Sequence, residues 1–159
     1  MAFPSHGLAH RSTVTGRRGM VASGHPLASL AGQRMLIEGG NAFDAAVATA
    51  ATLNIVEPYM SGVGGIGLAL AHVAAEGRIR ALNFSGRAPR AATADRFNEE
   101  TKNTGILAPL IPGNVAGWLT LHEAYGSLDR ERLFQPAIEY AEDGFPITHL
   151  TSRMISKGA

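Results

Sequence analysis

Cysteine is absent from the sequence, and with it go disulfides, thiolate metal sites and thiol redox chemistry. A cysteine-free chain fits a reducing compartment, so a cytoplasmic location is expected. No charge of one sign dominates. The formal net charge is +1, and Lys and Arg are scattered apart from Arg17 and Arg18, which gives no electrostatic case for nucleic acid or an acidic partner. No hydrophobic run reaches the roughly twenty apolar residues that a bilayer span needs. The most apolar stretch, residues 45–56, suits a buried helix, and no membrane contact is expected. Residues 1–18, MAFPSHGLAHRSTVTGRR, lack the continuous apolar core of a secretory signal and read as a flexible leader. Histidines stand at positions 6, 10, 25, 72, 122 and 149 without H-E-x-x-H or another metal spacing, so neither metal nor cofactor is expected. The nucleophile elbow G-x-S-x-G is missing too; Ser61 sits in YMSGV, where its hydroxyl is expected to bond backbone.

What the chain does have is glycine and apolar mass. Its 159 residues are 45% hydrophobic and 17% charged with 19 glycines, which suits one folded domain, or a piece of a larger one, rich in turns or close backbone approaches. Four of those glycines, Gly62, Gly64, Gly65 and Gly67, crowd into VEPYMSGVGGIGLAL. Gly62, Gly64 and Gly67 fit the G-x-G-x-x-G spacing of a dinucleotide turn. That turn needs a strand before the glycines and a helix after them, so that free helix N–H groups meet the pyrophosphate. Here the order is reversed, and no G-K-[ST] follows. The glycines therefore read as a tight helix-to-strand turn that uses positive φ.

Upstream of that turn, residues 43–55 read as a helix buried on most sides, capped by Asn41 with Asp44 three residues on in the manner of a capping box. Downstream, residues 68–73 and EGRIRALNF read as two short strands joined at Glu76-Gly77, with apolar positions at Ile79, Ala81 and Phe84. Earlier in the chain, GMVAS at residues 19–23 looks like a short buried strand. A helix follows in which Pro26 suits the first turn, Leu27, Ala31 and Met35 share a face, and Gly39-Gly40 end it. After the strand pair a polar loop holds a short element near residues 95–98. Two helical patterns come next. One carries an apolar stripe of Val115, Trp118, Leu119 and Leu121 or His122; the other turns Leu133, Ala137, Ile138 and Ala141 inward and stops at Gly144. No repeat and no dividing linker is present.

Residues able to do chemistry are few. His122 beside Glu123 reads as a surface or partly buried pair, and His25 before Pro26 as part of a helix cap. Asp44 and Glu57 flank the buried helix, and a separation of 13 residues at 1.5 Å rise holds them roughly 20 Å apart, too far to share a substrate atom. Arg87, in NFSGRAPR, follows a strand end, and its guanidinium fork can grip a carboxylate bidentately. Spacing alone leaves it equally open as a solvated loop arginine.

Taken in order, GMVASGHPLAS, GGNAFDAAVATAATLNIVEPYMSGVGGIG, SGRAP, PGNVAGW, HEAYG and PAIEYAEDGFPI resemble the beginning of the gamma-glutamyltranspeptidase family, across residues 19–147. The resemblance implies an α+β fold class, here the incomplete N-terminal portion of the αββα sandwich of the N-terminal nucleophile hydrolases. It also implies a precursor that cuts itself into a large and a small subunit, with residues 19–159 in the large one. The nucleophile is then a threonine at the new N-terminus of the small subunit, with its own α-amine as base and donors around the oxyanion. THL at residues 148–150 is superficially similar to the threonine-histidine signature at the family's cleavage point. It follows DGFPI, where the family is still within large-subunit helices, so Thr148 is not expected to be the nucleophile. No catalytic residue is expected in this chain, and the missing small-subunit portion is its expected partner.

In one place the sequence departs from the family pattern. The transpeptidase branch generally carries an arginine where Ser85 stands, holding the glutamyl α-carboxylate, whereas here the arginine is Arg87. On an extended strand the two positions share a face but lie roughly 7 Å apart. The S-G-R-A-P form looks like the transpeptidase-like branch that includes acylases and small amidohydrolases, so glutathione does not follow as substrate. Arg87 is the expected substrate-binding residue, for a small-molecule amide bearing a carboxylate. A second reading is a non-catalytic domain on the same fold that binds a small carboxylate or a partner chain.

Overall fold

The computed structural model describes residues 13–103 and 105–158. Residues 1–12 of the expected leader lie outside this range, and residues 13–18 are exposed without regular structure. Among the described residues five helices and one two-stranded antiparallel sheet run in the order α1 (Pro26–Ile37), α2 (Ala42–Val56), β1 (Leu68–Val73), β2 (Arg78–Asn83), α3 (Asn114–Tyr125), α4 (Arg130–Asp143) and α5 (His149–Gly158), an α+β arrangement. Short 3-10 turns at Ala74–Glu76 and Ala94–Arg96 fall where the hairpin turn and the short loop element are expected.

The alanine-rich sequence of α2 lets other helices come close to it, and α1, α3 and α4 all pack on it. A Cβ on Gly32 of α1 would overlap the Thr49 hydroxyl and lie 2.9 Å from the Ala45 carbonyl oxygen, so α1 and α2 approach at a separation that only glycine permits. Met35 from α1, Leu133 from α4 and Trp118 from α3 then close the core around Ala45, Val47, Ala48 and Ala51. Met35 and Leu133 are fully buried, each contributing about 1.5–3 kcal/mol of hydrophobic stabilisation. Helix starts and stops follow the sequence signals. Pro26 opens α1, Gly39 leaves it at φ +91°, and Gly144 ends α4 at φ +78°.

Several expectations shift. Residues 19–23 form no strand, because the one sheet among the described residues contains only β1 and β2 and no ladder is available to take their N–H and C=O groups. On α4 the buried stripe is Leu133, Pro136 and Ala137, while Ile138 and Ala141 are exposed; Pro136 takes the i+3 place on the inner face. On α3 Val115 is exposed, and Asn114, Gly117 and Trp118 are buried in its stead.

In the hairpin, Leu68 pairs with Asn83, Leu70 with Ala81 and His72 with Ile79, so these residues share one face. The opposite face, through Ala69, Ala71 and Leu82, turns toward Leu121 and Ala124 of α3. The first face is bare: Leu68, Leu70 and Ile79 are 75%, 78% and 67% exposed.

Candidate functional site

The glycine run is pinned to the start of α3. The carbonyl of Gly65 accepts from the backbone N–H groups of Gly113 (2.9 Å) and Asn114 (3.0 Å), using two of the donors that a helix N-terminus leaves unpaired. Asn114 Nδ2 donates to the Gly62 carbonyl at 2.9 Å and to Asn54 Oδ1 at 3.4 Å, while Asn54 Nδ2 donates to the Ala50 carbonyl at 2.8 Å. Both asparagines are buried, and sequence reasoning missed them. The signals were an amide inside the apolar run LNIV and another at the helix start PGN. Positive φ is not what the run requires, because among the described residues the positive-φ glycines are Gly39, Gly77, Gly105 and Gly144. Gly62 and Gly64 face open space. Gly65 and Gly67 are needed for close approach, to the Asn114 side chain and the Phe84 ring respectively.

Arg87 leaves the hairpin by a tightly held path. Strand β2 ends at Asn83, whose Oδ1 accepts from the Ser85 N–H at 2.9 Å, and Phe84 N–H makes a last bond to the Gly67 carbonyl at 3.1 Å. Ser85 and Arg87 are therefore beyond the strand, and strand alternation does not place them on a common face. The Phe84 ring fills the space that side chains on Gly67 and Gly117 would occupy, the Phe84 carbonyl lies where a Cβ on Gly113 would be, and Gly86 lies against the Ile111 backbone. Arg87 emerges exposed, and among the described residues no hydrogen bond or ion pair engages its guanidinium.

The remaining candidates have structural duties. His25 caps α1, its Nδ1 accepting from Leu27 N–H at 3.2 Å. Thr148 precedes α5, and its hydroxyl oxygen accepts from Thr151 N–H at 3.1 Å. Ser61 Oγ is buried without a hydrogen-bond partner among the described residues, so the expected backbone bond is not made.

Asp44, Ser127 and His122 lie together but are wired as a latch. The Asp44 carboxylate, fully buried, accepts from Asn41 N–H (2.8 Å), Ser127 N–H (3.0 Å), Leu128 N–H (3.3 Å) and the Ser127 hydroxyl (2.6 Å). His122 Nε2 meets the Leu128 carbonyl at 2.7 Å, so no imidazole faces the Ser127 hydroxyl, whose proton is spent on the Asp44 carboxylate as one of the bonds of the latch. Burial pushes the Asp44 carboxyl up, but the Ser127 hydroxyl and the amides of Asn41, Ser127 and Leu128 outweigh it and hold the group below its ordinary value.

An open groove of about 600 Å³ runs between α2, β1 and α3, lined by apolar residues such as Phe43, Val47, Trp118 and Leu121. It does not include Arg87, and it is a gap in packing rather than a polar site. Among the described residues no group of three or more His, Asp or Glu could hold a metal, and no helix is long and apolar enough to cross a membrane.

Comparison with known proteins connects these parts. The profile of the gamma-glutamyltranspeptidase family matches residues 28–159. The acylase ACY 1 proenzyme of Pseudomonas sp. (strain V22) is 38% identical over 94% of this chain and 29% of its own length. The glutathione hydrolase proenzyme of Bacillus subtilis (strain 168) is 36% identical over 92% of this chain and 26% of its own. Among solved structures, Helicobacter pylori gamma-glutamyltranspeptidase superposes with a TM-score of 0.86 at 37% identity, covering 91% of this chain and 43% of that one. The cephalosporin acylase of Bacillus halodurans gives 0.85 at 37% identity, covering 96% of this chain and 29% of that one. The chain thus spans less than half the length of each of these relatives. With motifs, fold and sequence in agreement over nearly all of it, the chain belongs to the gamma-glutamyltranspeptidase family.

Proposed function

We propose that residues 19–159 are the N-terminal part of the large subunit of a gamma-glutamyltranspeptidase-like amidohydrolase, with residues 1–18 a leader, and that the whole enzyme acts on amides whose acyl group bears a carboxylate. In this reading the complete protein is an αββα N-terminal nucleophile hydrolase. The bare face of the β1–β2 sheet supports it: a sheet with helix on one side and exposed Leu68, Leu70 and Ile79 on the other is half of a sandwich. The rest of the polypeptide covers that face and supplies a threonine at a self-cleaved N-terminus. The cytoplasmic assignment rests on the cysteine-free composition.

The chemistry is acyl transfer. The threonine hydroxyl adds to the amide carbonyl and passes its proton to the threonine α-amine; the tetrahedral oxyanion collapses, the C–N bond breaks, and the amine leaves with that proton. Water or an acceptor amine then attacks the ester and restores the hydroxyl. Within this chain the contribution is binding. Arg87, exposed and without a partner among the described residues, takes the acyl carboxylate through two parallel N–H···O bonds. Its availability is the observation that carries the proposal, because an arginine already paired internally would have no fork to offer. By itself the chain has no nucleophile to acylate and is inactive.

The test is to follow the reading frame past codon 159, express its whole product and examine it by mass spectrometry and amidase assay. The expected result is two fragments, the smaller beginning with threonine, and turnover of a glutaryl or gamma-glutamyl anilide. A single uncleaved chain that binds such carboxylates without turnover would select the non-catalytic binding domain instead.

A further inference from the structure

The contacts around Phe84 have a use beyond stability, and they bear on Arg87. Four glycines come together there from separate parts of the chain. Gly67 lies before β1, Gly86 after β2, Gly113 caps α3, and Gly117 lies one turn into it. A Cβ on Gly67 or Gly117 would overlap the Phe84 ring, and one on Gly113 would overlap the Phe84 carbonyl and lie 3.6 Å from the Gly86 nitrogen. Packing of this closeness fixes a backbone to within fractions of an ångström, since protein interiors resist small displacements. The residue so fixed is three positions before Arg87, and the segment between is held at Ser85 by Asn83 and at Gly86 by Ile111. An exposed arginine with long rotatable bonds gains selectivity only if its Cα is anchored.

We propose that Phe84 is a positioning residue for Arg87, working through Gly67, Gly113 and Gly117, and that this slot sets the selectivity of the site for acyl groups that carry a carboxylate. The inference rests on the assignment of Arg87 as the carboxylate grip. Phe84 touches no substrate; it holds the loop from which the guanidinium reaches. A smaller side chain at 84 frees the loop, and a methyl at 117 displaces the ring, so two opposite changes of volume act on one readout.

The experiment compares Phe84→Leu, Gly117→Ala and Arg87→Ala in the complete, self-cleaved protein against two anilides: a glutaryl anilide with a free carboxylate, and its methyl ester. Arg87→Ala is expected to raise KM for the free acid and not for the ester. Phe84→Leu and Gly117→Ala are expected to do the same to a smaller extent, about tenfold, with kcat within about twofold of the parent. If Arg87→Ala leaves both KM values unchanged, the grip itself is wrong and the positioning role falls with it. If Arg87→Ala behaves as expected while the other two variants move both substrates alike, or neither, the positioning role alone is overturned. Failure of both packing variants to give cleaved protein also counts against it, because the slot would then serve the fold at large.

Discussion

Asp44 offers the sharpest test of how this fold is held. Its carboxylate closes the capping box of α2 and also ties down the α3–α4 loop through Ser127 and Leu128. Replacing Asp44 by Ala orphans three backbone donors and the Ser127 hydroxyl. Hydrogen bonds to a charged group contribute about 1.5–3 kcal/mol each and are not additive, so the loss is about 3–5 kcal/mol. For a chain of this length that corresponds to a fall in melting midpoint on the order of 10 °C. Asp44→Asn keeps the shape, but its one amide oxygen cannot serve every donor and its NH2 faces other N–H groups, so it is expected to lose about 2–4 kcal/mol. Ser127→Ala removes one bond and costs about 1–1.5 kcal/mol. Because the folded carboxyl titrates below its unfolded value, the latch contributes fully above about pH 4 and fades as pH falls further through the folded pKa. Asp44→Asn should lack that part of the acid dependence. Circular dichroism melts from pH 2.5 to 7 measure both effects, and amide exchange reads the loop directly. If Asp44→Ala costs less than about 1 kcal/mol and leaves the Ser127 and Leu128 amides as protected as in the parent, the latch is not what holds the loop.

Three further variants separate the causes of glycine usage and of surface exposure. Gly39→Ala, at φ +91° with open space around it, meets only backbone strain and should cost about 1 kcal/mol by urea titration. Gly32→Ala meets the Thr49 hydroxyl and the Ala45 carbonyl and should cost about 1–3 kcal/mol; a neutral result would mean that α1 and α2 are not as close as described. Leu68→Lys with Leu70→Lys should turn an associating 159-residue chain into a more monomeric one in sedimentation velocity, and a parent chain already monomeric at high concentration would contradict the bare-face argument.

Local signals made much of this structure legible. Asn41 with Asp44, Pro26, Gly39 and Gly144 mark helix ends by effects confined to a few residues, and the hairpin at Glu76-Gly77 follows from alternation and a turn glycine. What could not be read is what depends on partners distant in sequence. Val21 and its neighbours carry a strand's composition, but among the described residues they have no strand to pair with. Val115 and Ile138 are apolar and yet exposed, because α2 meets the other sides of their helices at Trp118 and Leu133. The glycine run was misread in the same way. Its spacing suggested unusual backbone angles, but the constraint comes from Asn114 and Phe84, respectively about 50 and 20 residues further along the chain. Arg87 was visible as a candidate from its place after a strand; that it has no partner among the described residues became apparent only in three dimensions.

The central claim is that this chain provides a frame and a carboxylate grip for a reactive threonine that it does not itself contain. An amidase assay on the purified 159-residue chain alone, with glutaryl and gamma-glutamyl anilides, tests it most directly. The account predicts no release of aniline above the uncatalysed rate; sustained turnover, abolished by replacing a serine or threonine within the chain, would contradict it.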